Sequence, residues 1–162
     1  METTTGKSGQ QEATNELLQL VSFKIGDEEY GVDIVTVQEI NRMLNITQVP
    51  NSPDYVDGVV NLRGRVIPII DLRTRLHMER RQHDKNTRIV VLEIKGRTVG
   101  MVVDGVREVL RIPPNVAEMP PDTVSSNVNT DYITSIAKLE DRLLMLLDTE
   151  KILLTTNEMT IN

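Results

Sequence analysis

The sequence predicts an all-β protein of two small five-stranded barrels, SH3-like or OB-like, packed around a shared Val/Ile/Leu core with short helices. Three observations lead to this prediction. Val, Ile and Leu supply 49 of the 162 residues, against one Phe, three Tyr and no Trp, and β-branched side chains favour strands. Gly and Pro interrupt the apolar runs at short intervals, as is typical of all-β folds. The chain also matches itself over two long segments.

The internal matches indicate a duplication in the order A, B, A′, B′. Residues 22–40 align without a gap with residues 91–109, and residues 55–71 align with residues 132–148. The identical pairs are Ile25 and Ile94, Gly31 and Gly100, Val37 and Val106, Glu39 and Glu108, Tyr55 and Tyr132, Leu62 and Leu139, Arg65 and Arg142, and Asp71 and Asp148. A copy of about 70 residues is marginally stable alone, so we expect the two copies to share a core.

The elements follow from apolar alternation and from turn residues such as Gly26-Asp27 and Lys95-Gly96. Strands are expected at residues 17–25, 29–34, 59–62, 66–70, 88–94, 98–103, 133–139 and 143–147. Asp71 and Asp148 end two of these strands and are expected to begin short helices at residues 72–76 and 149–154.

The domain organisation follows from composition. Residues 17–154 are expected to form a single domain of two barrel subdomains, 17–78 and 87–154, joined by the charged linker 79–86. Residues 1–16 carry no large aliphatic side chain apart from Met1, so a disordered tail is expected there, and residues 155–162 form a second tail.

The usual catalytic patterns are missing, so no enzyme, catalytic residue, cofactor or metal is expected. The nine glycines form no phosphate-binding motif, and His77 and His83 have no third ligand type arranged around them. Ser135 and Lys138 spell S-x-x-K, but that chemistry needs both residues on one helical face. On a strand, residues three apart face opposite sides.

Composition also predicts a cytoplasmic protein without direct membrane insertion. The chain has no cysteine, which fits a reducing compartment. The first ten residues lack the apolar core of a secretory signal, and no apolar run approaches the ~18 residues of a membrane span.

A basic cluster supports an alternative function, an OB-type single-stranded nucleic-acid-binding protein. The cluster comprises Arg73, Arg75, Arg80, Arg81, Lys85 and Arg88. A net charge of −6, a pI near 5.0 and the shortage of aromatic side chains for base stacking argue against it. A solvated linker is the favoured interpretation, and no nucleic-acid partner is expected.

Five segments stand in a specific order and spacing: residues 26–34 (GDEEYGVDI), 37–40 (VQEI), 58–64 (GVVNLRG), 68–72 (PIIDL) and 99–106 (VGMVVDGV). Together they resemble the CheW family of bacterial chemotaxis adaptors over about residues 17–154. The resemblance implies a non-enzymatic scaffold that couples membrane chemoreceptors to a histidine kinase, in receptor arrays at the inner face of the membrane. The implied partners are the cytoplasmic tip of a methyl-accepting chemoreceptor and the regulatory domain of a CheA-like kinase, which has the same fold.

The resemblance also assigns site residues. Arg63 is the implied receptor-contact residue, flanked by Asn61 and Gly64, with Val37 and Glu39 nearby. The implied contacts with the kinase or with ring neighbours are Ile34, Ile40, Glu118, Met119 and Pro120. Family members can exchange an edge strand between halves, so residues 17–25 are expected to be able to complete the other barrel. A module of a larger fused protein is the rival within the family, and Met1 and the tail after Leu154 favour a standalone chain.

The residues themselves leave two alternatives at this site. Arg63 lies at a hairpin turn, where its guanidinium can form paired charge-assisted bonds or simply be solvated. Its counterpart pair in the second copy is Glu140-Asp141, so the fold does not require an arginine there. Thr36 and Glu39 also fit a helix capping box, which would give Glu39 and Glu108 a structural duty instead.

Overall fold

The computed structural model describes residues 16–119 and 132–154, and the all-β prediction is confirmed within them. The predicted tails therefore lie outside the described residues, except for Glu16. The strands are β1 (Leu18–Ile25), β2 (Glu28–Asp33), β3 (Val37–Arg42), β4 (Val56–Leu62), β5 (Arg65–Asp71), β6 (Arg88–Ile94), β7 (Arg97–Val103), β8 (Gly105–Ile112), β9 (Ala117–Glu118), β10 (Ile133–Lys138) and β11 (Leu143–Leu147). The helices are α1 (Leu72–Arg75) and α2 (Thr149–Leu154), with 3-10 turns at Ile34–Thr36 and Pro114–Val116.

The described strands form two sheets. One has the order β8-β1-β2-β11-β10-β9 and the other β3-β6-β7-β5-β4. Each contains a parallel pair, β2 with β11 and β5 with β7, between antiparallel neighbours. The sheets are equivalent under the repeat, since β1, β2 and β3 correspond to β6, β7 and β8, and the hairpin β4–β5 corresponds to β10–β11.

The sheets do not follow the expected division into residues 17–78 and 87–154. The hairpin β1–β2 lies in the same sheet as β10–β11, and β6–β7 lies with β4–β5. The third strand of each copy also pairs with the other copy, since β3 pairs with β6 and β8 pairs with β1. The exchange is thus reciprocal and larger than the single strand 17–25. Each copy covers apolar surface of the other, as expected for two units too small to be stable alone.

The shared core lies between the sheets. Phe23 and Ile25 of β1 belong to one buried cluster with Leu92 and Ile94 of β6, which are their repeat equivalents. The opposite face of each sheet covers a smaller cluster of its own. Both faces of the sheets are therefore buried, which explains the unbroken apolar run of residues 89–92.

The sequence pattern misses β3 and β8. Burial alternates along β3, but Glu39 occupies a more buried position than Ile40, so the apolar residues do not show the strand period. The capping-box alternative is wrong, because Glu39 lies on a strand and Thr36 ends a 3-10 turn. No helix in the described part of the chain is both long enough and apolar enough to cross a membrane.

Candidate functional site

The turn between β4 and β5 displays Arg63 to solvent. Arg63 and Gly64 have φ angles of 53° and 84°, so both residues are left-handed, as a tight two-residue hairpin turn requires. The side chain of Asn61 accepts a hydrogen bond from the Gly64 N–H at 2.9 Å and stabilises the turn. The Arg63 side chain is 71% exposed, so it contributes nothing to the core.

The Arg63 guanidinium binds the carboxylate of Glu39, which lies on β3. One Nη donates to Glu39 Oε1 at 3.3 Å, and the other Nη donates to Oε2. The contact joins the tip of one hairpin to a strand residue that lies 24 positions earlier in the chain. The hydrogen bond from Arg63 lowers the pKa of Glu39 below its usual range, and the same bond raises the pKa of Arg63. Both groups are therefore charged at neutral pH, and the guanidinium is held in one orientation.

The other predicted residues on this side are arranged around β3. Val37 lies on the same strand as Glu39 and, like Ile34, is partly buried against the shared core. Ile40 follows Glu39 and is 40% exposed. Successive side chains of a strand face opposite sides, so a single flat contact would not reach both Glu39 and Ile40.

Two exposed aliphatic side chains that lie close in sequence to the site residues were not predicted. Val66 of β5 is 70% exposed and Val35 of the first 3-10 turn is 81% exposed. Val66 lies three residues after Arg63, within an apolar run that sequence alone assigns to the core. The only signal in the sequence was its closeness to the turn.

Of the remaining predicted contacts, Glu118 lies in the other sheet and Met119 follows it in the chain. Glu118 of β9 forms an ion pair with Lys138 at 3.1 Å. Met119 is 78% exposed, and Pro120 lies outside the described residues. The structure thus groups Asn61, Arg63, Gly64 and Glu39 in one place but does not bring Glu118 and Met119 to them.

A second glutamate–arginine cluster was missed. Arg142 donates to Glu108 at 2.7 Å and to Glu29 at 2.6 Å, and the Glu29 side chain is only 6% exposed. The repeat already matched Glu39 with Glu108 and Arg65 with Arg142. The repeat does not predict that Glu29 is buried, because a glutamate next to the first turn is expected to be solvated.

Most arginines of the basic cluster are bound within the chain. Arg73 and Arg81 bind Asp104, at 2.7 and 3.2 Å, and Arg80 binds Asp57 at 2.8 Å. The Arg75 guanidinium lies over two tyrosine rings. These contacts leave few cations for a nucleic-acid backbone, which argues against the alternative function.

In the part of the chain that the structure describes, no three His, Cys, Asp or Glu side chains are grouped so that they could hold a metal ion. The ionisable groups of the site are paired with one another. The Arg63 guanidinium has the donor geometry to bind an acidic or carbonyl group.

Comparison with known proteins agrees with these features. The family model of the CheW-like domain matches residues 19–156. The chain is 42% identical over 139 residues to the chemotaxis protein CheW of Klebsiella aerogenes, covering 86% of this chain and 82% of that protein. It is 39% identical over 143 residues to the chemotaxis protein CheW of Helicobacter pylori, covering 88% and 86% of the two chains.

A solved structure shares the fold. The scaffolding protein TtCheW of Thermoanaerobacter tengcongensis superimposes with a TM-score of 0.80 at 34% identity, over 88% of this chain and 95% of that chain. Family model, sequence identity and three-dimensional similarity each extend over most of the chain. The chain therefore belongs to the CheW family of chemotaxis scaffold proteins.

Proposed function

We propose that this chain is a non-enzymatic cytoplasmic adaptor that couples membrane chemoreceptors to the chemotaxis histidine kinase. Its membership of a scaffold family supports this role. The observation that carries the proposal is the Arg63–Glu39 pair, because it presents an oriented guanidinium at the tip of an exposed hairpin. Such a group serves recognition, and the equivalent turn of the second copy has Glu140-Asp141 instead.

The proposed receptor contact uses the donors that Glu39 leaves unused. A guanidinium has five N–H donors, and Glu39 accepts from only two of its nitrogens. The remaining donors can bind a carboxylate or the free carbonyls at the tip of the receptor's helical hairpin. Asn61 and Gly64 contribute by holding the turn, and Val37 contributes from β3, the strand that carries Glu39.

The proposed kinase contacts lie at the ends of the two sheets. β3 and β9 are terminal strands in their sheets, and a terminal strand carries backbone groups that a second barrel can approach. Ile34 and Ile40 border the first end, and Glu118 and Met119 border the second; Pro120, the next residue in the sequence, is proposed with them. The regulatory domain of the kinase has the same fold, so barrel can meet barrel at either end.

A scaffold of this kind acts by geometry rather than by chemistry. Each contact can be weak, because binding at several sites of one array raises the effective concentration of every partner. We expect the adaptor to be recruited to arrays at the inner face of the membrane through these contacts, without inserting into the bilayer.

Co-sedimentation with receptor fragments and kinase tests the proposal. Arg63→Ala should weaken recruitment by receptor at least about tenfold, since a lost charge-assisted contact is typically worth that factor. The melting temperature should not change, because the side chain supports no core. The matched control is Arg97→Ala, which removes an exposed arginine from another hairpin.

Two results would count against the proposal. Unchanged recruitment of Arg63→Ala would remove this residue from the site. Equal weakening by both variants would mean that recruitment depends on overall charge rather than on the Arg63 turn.

A further inference from the structure

A basic cleft opens where the β1–β2 turn, the 79–86 segment and the junction of β7 with β8 meet. Its volume is about 330 Å³. The charged residues that line it are Lys24, Arg81, Arg88, Arg107, Asp84 and Asp104. Cations outnumber carboxylates here by two, on a chain with a net charge of −6. None of the residues assigned to the receptor or the kinase lines this cleft.

The two carboxylates of the basic cleft are satisfied by neighbours inside the chain. Asp104 Oδ2 accepts from the Gly26 N–H at 2.7 Å and from the Arg73 guanidinium at 2.7 Å. Asp84 Oδ1 accepts from the Asn86 N–H at 2.8 Å. These oxygens hold the walls of the cleft together, so they do little to neutralise a cation that points into it.

Two cations of the cleft lack a comparable partner. Lys24 is exposed and forms no ion pair with any residue that the structure describes. Arg107 approaches Glu29 at 3.8 Å, but Glu29 already binds Arg142 at 2.6 Å. Lys24 and Arg107 are therefore available to a ligand that brings its own negative charge.

The duplication shows that the fold does not need these cations. The residues equivalent to Lys24 and Arg107 in the other copy are Glu93 and Gln38. There the Gln38 side-chain amide donates to the Glu93 carboxylate at 2.7 Å. The same corner of the fold is thus built without these two cations, which are particular to this cleft.

We propose that the basic cleft docks an acidic segment of a partner polypeptide, with Lys24 and Arg107 binding its carboxylates. The volume equals that of about ten water molecules at ~30 Å³ each, which suits a few side chains. No aromatic side chain lines the cleft for base stacking, so a polypeptide fits better than a nucleic acid. The inference does not depend on the Arg63 site.

Titration of the full chain with hexaglutamate at low salt, followed by amide NMR, tests the inference. We expect saturable binding with shifts at Gly26 and Gly105, weakening as salt is raised because exposed charges are screened. The variant Lys24→Glu with Arg107→Gln installs the residues of the other copy and should bind at least about tenfold more weakly. The matched control, Lys138→Glu with Arg97→Gln, makes the same charge change outside the cleft and should bind as the parent does.

Several outcomes would overturn the inference: no saturable binding, shifts away from the cleft, or equal weakening in both double variants. Tighter binding of oligo-thymidine than of hexaglutamate would overturn the assignment to a polypeptide, as would displacement of the peptide by equimolar inorganic phosphate. Circular dichroism verifies that the variants are folded. The milder variant Lys24→Gln should also weaken the binding of hexaglutamate. Arg63→Ala should bind hexaglutamate normally, so failure of this inference and failure of the receptor proposal are distinguishable.

Discussion

Glu39 and Glu108 occupy equivalent positions of the two repeat copies, and each carboxylate binds an arginine from a hairpin. The arginines are not equivalent, since Arg142 corresponds to Arg65 rather than to Arg63. The Arg63 side chain is 71% exposed, whereas that of Arg142 is 23% exposed and also binds the buried Glu29. The carboxylate at this position therefore holds an exposed arginine in the first copy and a more buried arginine in the second.

Reversing the exposed pair should separate pairing from recognition. The double variant Glu39→Arg with Arg63→Glu keeps opposite charges in contact, so we expect its melting temperature to stay within a few degrees of the parent. Receptor recruitment should be lost, because the turn then displays a carboxylate. Thermal melting and co-sedimentation measure the two effects. Recruitment restored to the parental level would show that only the pairing matters.

Removing Arg142, unlike reversing the Arg63–Glu39 pair, should lower the stability of the protein. Arg142→Ala leaves Glu29 buried with only Arg107 nearby, at 3.8 Å, and an uncompensated buried carboxylate is strongly destabilising. We expect the melting temperature to fall by roughly 5 °C or more. Calorimetry of Arg142→Ala and of Arg63→Ala provides the comparison. Equal melting temperatures for the two variants would contradict the structural role of Arg142.

The sequence predicts elements well where both faces of a strand are apolar. β6 and β11 have the predicted bounds, because each consists mainly of an unbroken apolar run and is followed by turn-forming or capping residues. β3 was missed because Glu39 takes one of its more buried positions. The exchange of hairpins between copies was only partly anticipated, since local patterns state which residues form strands but not which copy supplies the neighbour.

The site was predictable only in part for a similar reason. The asymmetry between Arg63-Gly64 and Glu140-Asp141 places Arg63 at a displayed turn, and the structure has the turn there. Its contact with Glu39 joins two elements that are distant in sequence, which no periodicity reports. Glu29 was missed because its burial depends on Arg142, 113 residues away.

Asp104 should give a pH-dependent contribution to stability. Burial opposes its ionisation, yet hydrogen bonds from Arg73 and the Gly26 N–H lower its pKa below the usual range. A lowered pKa in the folded state means stability that is present above about pH 4 and is lost as pH falls further. Asp104→Asn should lower the free energy of unfolding at pH 7 by about 1–3 kcal/mol.

Urea unfolding of Asp104→Asn and of the parent, each from pH 7 down to pH 3, measures this contribution. The difference between the two proteins should shrink as the pH falls, because the parent loses the contribution that the variant never had. A difference that stays constant with pH would show that the carboxylate acts by shape rather than by charge.

The contribution of Asp57 to stability should change with pH in the opposite direction to that of Asp104. Burial raises its pKa although Arg80 donates to it, and its Oδ2 is buried without a hydrogen-bond partner among the residues that the structure describes. The unfolded chain then releases this proton first, so stability falls as pH rises from about 4 through the raised value. Asp57→Asn should be at least as stable as the parent at pH 7. Urea unfolding at pH 4 and pH 7 tests this, and a variant that loses more stability at pH 7 would contradict it.

Arg75 connects the two copies through its guanidinium, which lies 4.3 Å from the ring centroid of Tyr55 and 4.8 Å from that of Tyr132. These tyrosines are repeat equivalents, and Arg75 Nε also donates to the Ile152 carbonyl at 2.9 Å. Arg75→Ala should lower the free energy of unfolding by about 1–3 kcal/mol, the sum of two cation–π contacts and a hydrogen bond. Arg75→Lys should restore little, because an ammonium cannot stack on two rings and donate sideways at once.

Tyrosine fluorescence reports this contact directly. The chain has no Trp and three Tyr, and only Tyr30 lies outside the stack. Unfolding by guanidinium chloride measures the stability of Arg75→Ala, Arg75→Lys and the control Arg97→Ala. The native-state fluorescence spectrum should change in the two Arg75 variants alone. Full stability of Arg75→Lys would show that charge rather than stacking joins the copies. Normal receptor recruitment by Arg75→Ala would separate cohesion of the two sheets from recognition at Arg63.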